Sequence, residues 1–570
     1  DHIVHGVEES STHSYVEPDW ARTTVGTRLQ PGEKLGITKF VSYGWSSQRS
    51  VPALRDQVDA ALSAVLHTGW DGLVAEQRAY VDEFWDGADV EVEGDPAVQQ
   101  AVRFGLFHVL QAGARAEQRA IAAKGLTGTG YDGHAFWDSE SYVLPVLSAT
   151  APRAAADALR WRHSTLDLAL ERAHALNLKG AVFPWRTIRG QECSAYWPAG
   201  TAAFHVNADI AVAAARHVHW TGDQDFDRDC ALALLVHSAR LWMSLGYHGD
   251  DGEFHIDGVT GPDEYSAIVD DNTYTNLMAA RNLRYAADTA TRWPDQAAAL
   301  DVTDDELVTW RTAADTVSVP YDDVLGMPEQ DRGATTHEVW DFEASAANDG
   351  YPLLLHAPYF DIYRKQVVKQ ADLVLAMHWC GDSFTSEEKA KGFAYYEALT
   401  VRDSSLSACS QSVMAAEVGH LDLAYEYLVE AASMDLRDLE NNTSDGVHVA
   451  SLAGSWLALV CGFGGMRDHN GELSFAPRLP QAFTKLTFAV RWRGCKVRVS
   501  IGDEEATYAV EDGAGASISL SHHGTPMTVS ADAPVTLPIP AITPLTETPH
   551  QPAGREPRCR LIPLPDDEPA

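Results

Sequence analysis

The sequence predicts a mainly α chain built as an (α/α)6 barrel, with β segments at both ends. Three observations lead there. Amphipathic helical periods recur from about Asp95 to Val460. The loops between them are uneven in length and dense in Trp, His, Asp and Glu, and no short fixed repeat marks a helical solenoid. After Gly465 the apolar period switches to two, the pattern of strands.

Taken in order, residues 1–50 are polar with short extended runs such as 36–43, and read as the end of a β domain. The chain starts without Met or an apolar leader, as if cut from a longer protein. Residues 51–90 carry two helical patterns, 53–66 and 73–85, expected to act as a connector. The barrel is expected over 91–465. Its candidate helices are 96–118, 153–175, 204–217, 226–245, 273–291, 304–316, 366–377, 387–398, 406–418, 421–432 and 450–460. A small antiparallel β domain is expected over 466–535. Ten of the 27 prolines fall in 534–569, so 536–570 is expected to be an extended or disordered tail.

Net charge is −38, from 81 acidic and 43 basic residues. Such a surface argues against nucleic acid and anionic membranes as partners. No apolar run approaches the roughly 20 residues of a spanning helix. The seven cysteines are scattered, with no Cys-x-x-Cys pair, and read as reduced thiols of a cytoplasmic protein.

The most informative segment is Gly261-Pro-Asp-Glu-Tyr265, with a helix start soon after it that Asp271 or Asn272 can cap. A carboxyl on a rigid loop above a helix N-terminus is placed for proton transfer. The glycine-rich stretch 125–140 lacks the Lys-Ser/Thr ending of a phosphate loop, and no strand precedes it. It ends in Trp137 and Asp138. An aromatic face covers the apolar side of a pyranose and a carboxylate accepts hydroxyl hydrogen bonds, although Asp138 as a helix cap fits equally well. The loop 183–193 holds Arg186 and Glu192, whose commoner fate is to pair with each other. Lys369 and Gln370 are expected on a helix. Arg402-Asp-Ser-Ser-Leu-Ser407 opens another; Ser404, Ser405 and backbone N–H groups can form an anion site beside Arg402, or a Ser or Asp can simply cap the helix. His448 offers a donor just ahead of a further helix, although a lone loop histidine is more often structural.

In this order, 134–140, 183–188, 205–210, 261–265, 369–372, 402–407 and 446–448 resemble the motifs of glycoside hydrolase family 65, the inverting α-glucoside phosphorylases of trehalose, kojibiose, nigerose and maltose type. The resemblance runs from about residue 30 to 535. It implies an N-terminal β-sandwich, here mostly absent, and the helical connector, barrel and C-terminal β domain. It also implies Glu264 as general acid, Trp137, Asp138, Lys369 and Gln370 on the sugar, and Ser404, Ser405 and His448 on phosphate. The family often has His where Arg402 stands; an arginine remains an anion partner.

The expected reaction is attack of phosphate on an α-glucoside, giving β-glucose 1-phosphate and a released sugar. Glu264 must carry its proton near neutral pH, and burial with Asp263 beside it is expected to favour that form. Phosphate is the co-substrate; no cofactor or metal is expected. The partners are a disaccharide and phosphate, with room for a homodimer. Hydrolysis on the same scaffold is the alternative, with Glu397 as the base that activates water. A non-catalytic sugar-binding protein is a further alternative. The residues that choose the acceptor sugar are expected within 335–363.

Overall fold

The fold is taken from a computed structural model, which describes residues 1–44, 46, 49–113, 118–195, 197–511 and 516–558. The chain divides into two compact units, Asp1–Asp86 and Gly87–Ala570.

In the first unit, His2–His5 pairs antiparallel with Gly36–Lys39, and Ser10–Glu17 with Trp20–Thr27. The helix Val51–Ala88 follows, broken at Gly69, whose φ of 72° and ψ of 173° are not helical. Glycine reaches that conformation without a Cβ penalty. The break separates the two helical patterns read from sequence.

In the second unit, six helices form an inner ring. They are Leu144–Thr150 with the π turn Ser139–Val143 ahead of it, His205–Thr221, Thr273–Arg292, Asp372–Trp379, Ser407–Val418, and Val449–Leu457 with its π extension Ala458–Phe463. Each packs on the next, and the last returns to the first, which closes the barrel. Outside them lie Pro96–Gly113, Pro152–Ser164, Leu232–Leu245, Asp304–Asp315, Ser386–Glu397 and Leu421–Ser433.

The inner ring departs from the amphipathic pattern of the outer helices. Every residue of Leu144–Thr150 and of Asp372–Trp379 is buried. A helix buried all round has no polar face and so no amphipathic period. The first of these was absent from the expected helices, and the second starts at Asp372 instead of 366. Lys369 and Gln370 therefore stand in the loop ahead of the helix, not on it. The stretch 114–117 inside the expected helix 96–118 lies outside the described residues.

The period-two runs form a five-stranded antiparallel sheet. Its order is Val535–Pro538, Glu505–Val510, Cys495–Ile501, Lys485–Trp492 and Val90–Glu93. The last strand straddles the boundary between the expected connector, 51–90, and the expected barrel, 91–465, outside the expected β domain. Val90 and Val92 are buried while Glu91 and Glu93 are exposed, a period-two pattern too short to stand out. Ser517–His522 pairs with Ser474–Phe475 and Thr525–Ser530.

Residues 549–558, expected to be an extended or disordered tail, lie on the barrel and hydrogen-bond to it: Gln551 donates to Glu397, and Arg558 to Leu439 O. The six described cysteines carry free thiols, four of them buried; Cys559 lies outside the described residues. No helix among the described residues is long and apolar enough to cross a membrane.

Candidate active site

The inner ring aims its helix N-termini at one place. Trp137 and Asp138 precede the first inner helix, His205 opens the second, and Glu264 lies on the loop before the third. Lys369 and Gln370 precede the fourth, Ser404 and Ser405 the fifth, and His448 the sixth. The positive end of each helix dipole favours anions there. One pocket is lined by Trp137, Asp138, Glu264, Lys369, Gln370, Ser404, Ser405 and His448. Residues the sequence reading did not single out complete it: Tyr131, Phe136, Trp185, Asp403, Glu440 and Asn442.

The acid loop is rigid by construction. Asp263 turns away from the pocket. Its Oδ1 accepts from the backbone N–H groups of Lys369 (2.8 Å) and Tyr265 (3.2 Å), and its Oδ2 from Ser266 Oγ at 2.7 Å. Burial lifts the Asp263 carboxyl to about 6. Asp372 Oδ1 in turn accepts from Asp263 N at 2.7 Å, and Oδ2 from Asn272 Nδ2 at 2.9 Å. Gly261 is needed here, because a Cβ on it would stand 2.0 Å from Asp372 Oδ2. Of the two expected caps, Asn272 accepts from Thr275 N and caps the helix, while Asp271 pairs with His255. Glu264, thus presented, has Lys369 rather than Asp263 as its neighbour: Nζ donates to Oε2 at 2.7 Å. Burial opposes the Lys369 charge, but Glu264 outweighs it and raises the ammonium pKa.

Trp137 is wedged edge-on against His205, centroids 5.1 Å apart, and Tyr142, 5.6 Å apart. His205 Nδ1 is held by Asp209 at 2.8 Å, and Tyr274 OH donates to Asp209 at 2.7 Å. Asp138 makes no cap bond and instead faces the pocket. Its carboxyl is pushed up to about 7 by burial, with the Glu264 and Glu140 charges adding to the effect and Lys369 opposing it. A carboxyl raised by folding binds its proton more tightly in the folded state. Its contribution therefore lowers stability as pH climbs from 3.8 to about 7. Asp138→Asn should flatten that part of the pH–stability profile and raise the melting temperature above about pH 7, measured by thermal denaturation across pH.

Ser404 Oγ donates to Gln370 Oε1 at 2.9 Å, tying the two loops together. His448 Nδ1 is held by Asp435 Oδ1 at 2.7 Å, and its Nε2 lies 3.0 Å from Lys124 Nζ. Lys124 and Asp435 belong to no motif read from the sequence; they lie 324 and 13 residues from His448, so spacing carried no signal.

Two expected roles fail on geometry. Arg402 does not line the pocket. Its backbone is left-handed, φ 53°, at a cost of roughly 1–2 kcal/mol. Its buried guanidinium points away, to Glu430 at 3.3 Å, Tyr427 OH, and the carbonyls of Arg555 and Glu556. Arg402 is an anchor, not a phosphate ligand. Glu397, the proposed base of the hydrolytic alternative, is buried outside the pocket and accepts from Tyr427, Gln411 and Gln551. The expected Arg186–Glu192 pair does not form either. Glu192 accepts from the backbone N–H of Trp185, Arg186, Cys193 and Ser194, while Arg186 reaches Asp132 at 3.2 Å.

Away from the pocket lining, Asp251, Glu253 and His255 bring ligand-type atoms within 4.8 Å of one another. Both ring nitrogens of His255 are already engaged, by Asp271 and Asp251.

Comparison with known proteins agrees with this arrangement. The sequence profile of the glycosyl hydrolase family 65 central catalytic domain matches residues 103–457, the C-terminal domain profile 466–529, and the N-terminal domain profile 1–84. An uncharacterized glycosyl hydrolase of Mycobacterium tuberculosis is 59% identical over 540 residues, 95% of this chain and 68% of that protein. An alpha,alpha-trehalose phosphorylase of Thermoanaerobacter brockii is 42% identical over 87% of this chain and 66% of its own length. A solved structure described as a putative kojibiose phosphorylase from human microbiome superposes with a TM-score of 0.82 at 25% identity, covering 93% of this chain and 74% of that one. The chain belongs to glycosyl hydrolase family 65 and is an enzyme acting on glycosides.

Proposed function

We propose that this enzyme is an inverting disaccharide phosphorylase, cleaving an α-glucoside of trehalose or kojibiose type with phosphate to β-glucose 1-phosphate and a released sugar. The observation that carries the reading is the shared pocket. It joins a presented carboxyl, Glu264, to an aromatic–carboxylate pair, Trp137 and Asp138, and to hydroxyls and an imidazole, Ser404, Ser405 and His448. Trp137 and Asp138 hold the glucosyl unit, with Lys369 and Gln370 alongside. Glu264 gives its proton to the glycosidic oxygen. The carboxylate left behind is stabilised by Lys369, already within hydrogen-bond distance. Phosphate, held by Ser404, Ser405 and His448, attacks from the opposite face and inverts the anomeric centre. Because phosphate is already a nucleophile, positioning replaces a general base. The reading calls for no cofactor or metal, and the scattered cysteines accord with the cytoplasm.

Hydrolysis would need a second carboxylate available to water. Glu397 is enclosed elsewhere. Of the other pocket carboxylates, Asp138 serves the sugar, and Asp403 and Glu440 are each bound by an arginine. For the acceptor side, Tyr359 and Tyr363 form a tilted ring pair 5.6 Å apart. Burial raises both phenols, and the Glu264 charge adds to it at each. They are the residues of 335–363 proposed to meet the acceptor.

Replacing Ser404 and Ser405 together by Ala tests the phosphate subsite. Each lost hydrogen bond to a charged ligand is worth about 1.5–3 kcal/mol, so the phosphate KM should rise at least about tenfold. The disaccharide KM should move far less. Initial rates at varied phosphate and varied sugar separate the two, and an unchanged phosphate dependence would place the anion elsewhere.

A further inference from the structure

Past the last strand, Val535–Pro538, the chain returns to the helix ends around the pocket. This return lies beyond residue 529, where the matched C-terminal profile stops. Tyr351 OH donates to Ala553 O at 3.1 Å, Gln551 Nε2 to Glu397 Oε1 at 2.9 Å, and Arg558 N to Glu430 Oε2 at 2.7 Å. Two arginines of the returning segment end on carboxylates that line the pocket. Arg555 Nη2 donates to Asp403 Oδ1 at 3.0 Å, and Arg558 Nη1 to Glu440 Oε1 at 3.1 Å.

We infer that residues 549–558 form a charge-compensating strap, in which Arg555 and Arg558 are positioning residues that let a pocket edged by Asp403 and Glu440 accept phosphate. The inference rests on the phosphorolytic reading above. Asp403 immediately precedes Ser404 and Ser405, and its side chain is 1% exposed. A bare carboxylate there would repel an anion drawn to the neighbouring hydroxyls. Arg555 also donates to Val401 O and is itself only 8% exposed, so little solvent screens the pair. Asp403 does not depend on Arg555 for its place. Tyr265 OH donates to its Oδ2 at 2.7 Å and Leu353 N at 2.8 Å. The first of these bonds joins the loop of Ser404 to the residue after Glu264. Removing Arg555 therefore changes the charge of the site more than its shape. Arg402 completes the arrangement: its guanidinium grips the strap's own carbonyls at 555 and 556, which gives the strained residue a function that phosphate binding does not.

The test uses Arg555→Ala, Arg555→Lys, Arg558→Ala and, as a control within the strap, Gln551→Ala, which touches no pocket carboxylate. Phosphate KM, disaccharide KM and kcat at saturating phosphate are measured for each. The affinity for inorganic phosphate alone is measured by calorimetry. Arg555→Ala should weaken phosphate in both assays by about tenfold, the effect of one uncompensated charge several ångströms away at an intermediate dielectric. Disaccharide KM should stay within about twofold, and Arg555→Lys should recover part of the loss because it keeps the charge. Gln551→Ala should match the parent enzyme. Should Arg555→Ala fail to fold, Arg558→Ala, at a half-exposed site, is expected to shift phosphate alone in the same direction by a smaller factor. Phosphate binding equal to the parent's in the arginine variants overturns the strap's role and leaves the phosphorylase reading standing. A parallel loss of sugar and phosphate affinity also overturns it, since general loosening would do that. A parent enzyme that releases glucose without phosphate and binds none in the calorimeter overturns both.

Discussion

Glu264→Gln is expected to cut turnover by at least about 10²-fold, the low end for loss of a general acid. The amide keeps the shape of the carboxyl, and its oxygen can still accept from Lys369 Nζ, which lies 2.7 Å from Oε2. The rigid bonds of the loop belong to Asp263, not Glu264, so the fold should be untouched. Melting temperature and sugar affinity should therefore stay near the parent's while kcat collapses. A substrate with an activated leaving group, which needs no proton, should lose much less. Near-parent activity on the natural linkage would mean that Glu264 is not the acid.

Arg162→Ala is expected to destabilise the enzyme by about 3–5 kcal/mol, the usual cost of leaving one buried charge without its partner. Arg162 Nε and Nη2 hold Glu140 Oε1 and Oε2 at 2.7 and 3.0 Å, with the two side chains 1% and 3% exposed. Arg162 Nη2 also reaches Phe136 O at 3.4 Å. The pair fastens the outer helix Pro152–Ser164 to the segment carrying Trp137 and Asp138. Chemical denaturation should show the loss as a lower midpoint with an unchanged slope. Converting both partners, Arg162→Met with Glu140→Leu, should restore most of the stability, because no buried charge remains. If the single change costs less than about 1 kcal/mol, the pair is solvated and does not brace the site.

Much of this site was legible in the sequence, and the reasons differ residue by residue. Glu264, Trp137, Asp138, Lys369, Gln370, Ser404, Ser405 and His448 meet in one pocket because they stand on the segments that lead into the inner helices; the order of the family motifs made them legible, since the helix after Asp138 carried no readable period and the one after Gln370 starts later than its pattern suggested. Arg402 was misread because Arg-Asp-Ser-Ser spells the same motif whichever way the arginine points. Its left-handed φ turns it from the pocket, and no local sequence signal announces that. Glu397 looked available because burial behind Tyr427 and Gln411 depends on a neighbouring helix pair. The helix Leu144–Thr150 was hidden by being apolar on every side and by Pro145 within it. The proline-rich end looked disordered by composition, yet Gln551, Arg555 and Arg558 find buried acceptors on the barrel. Composition reports what a segment can bury by itself; here the acceptors come from elsewhere in the chain.

Phosphate, placed opposite Glu264, is expected to displace the sugar in a single inverting step. The most direct test follows the first-formed product by NMR, on α-linked glucose disaccharides with and without phosphate, before free glucose mutarotates. β-Glucose 1-phosphate is expected as the first product, formed only when phosphate is present, with no covalent glucosyl-enzyme accumulating, since a single displacement by phosphate uses no carboxylate nucleophile. An α-phosphate as first product, or glucose released at the same rate without phosphate, would contradict it.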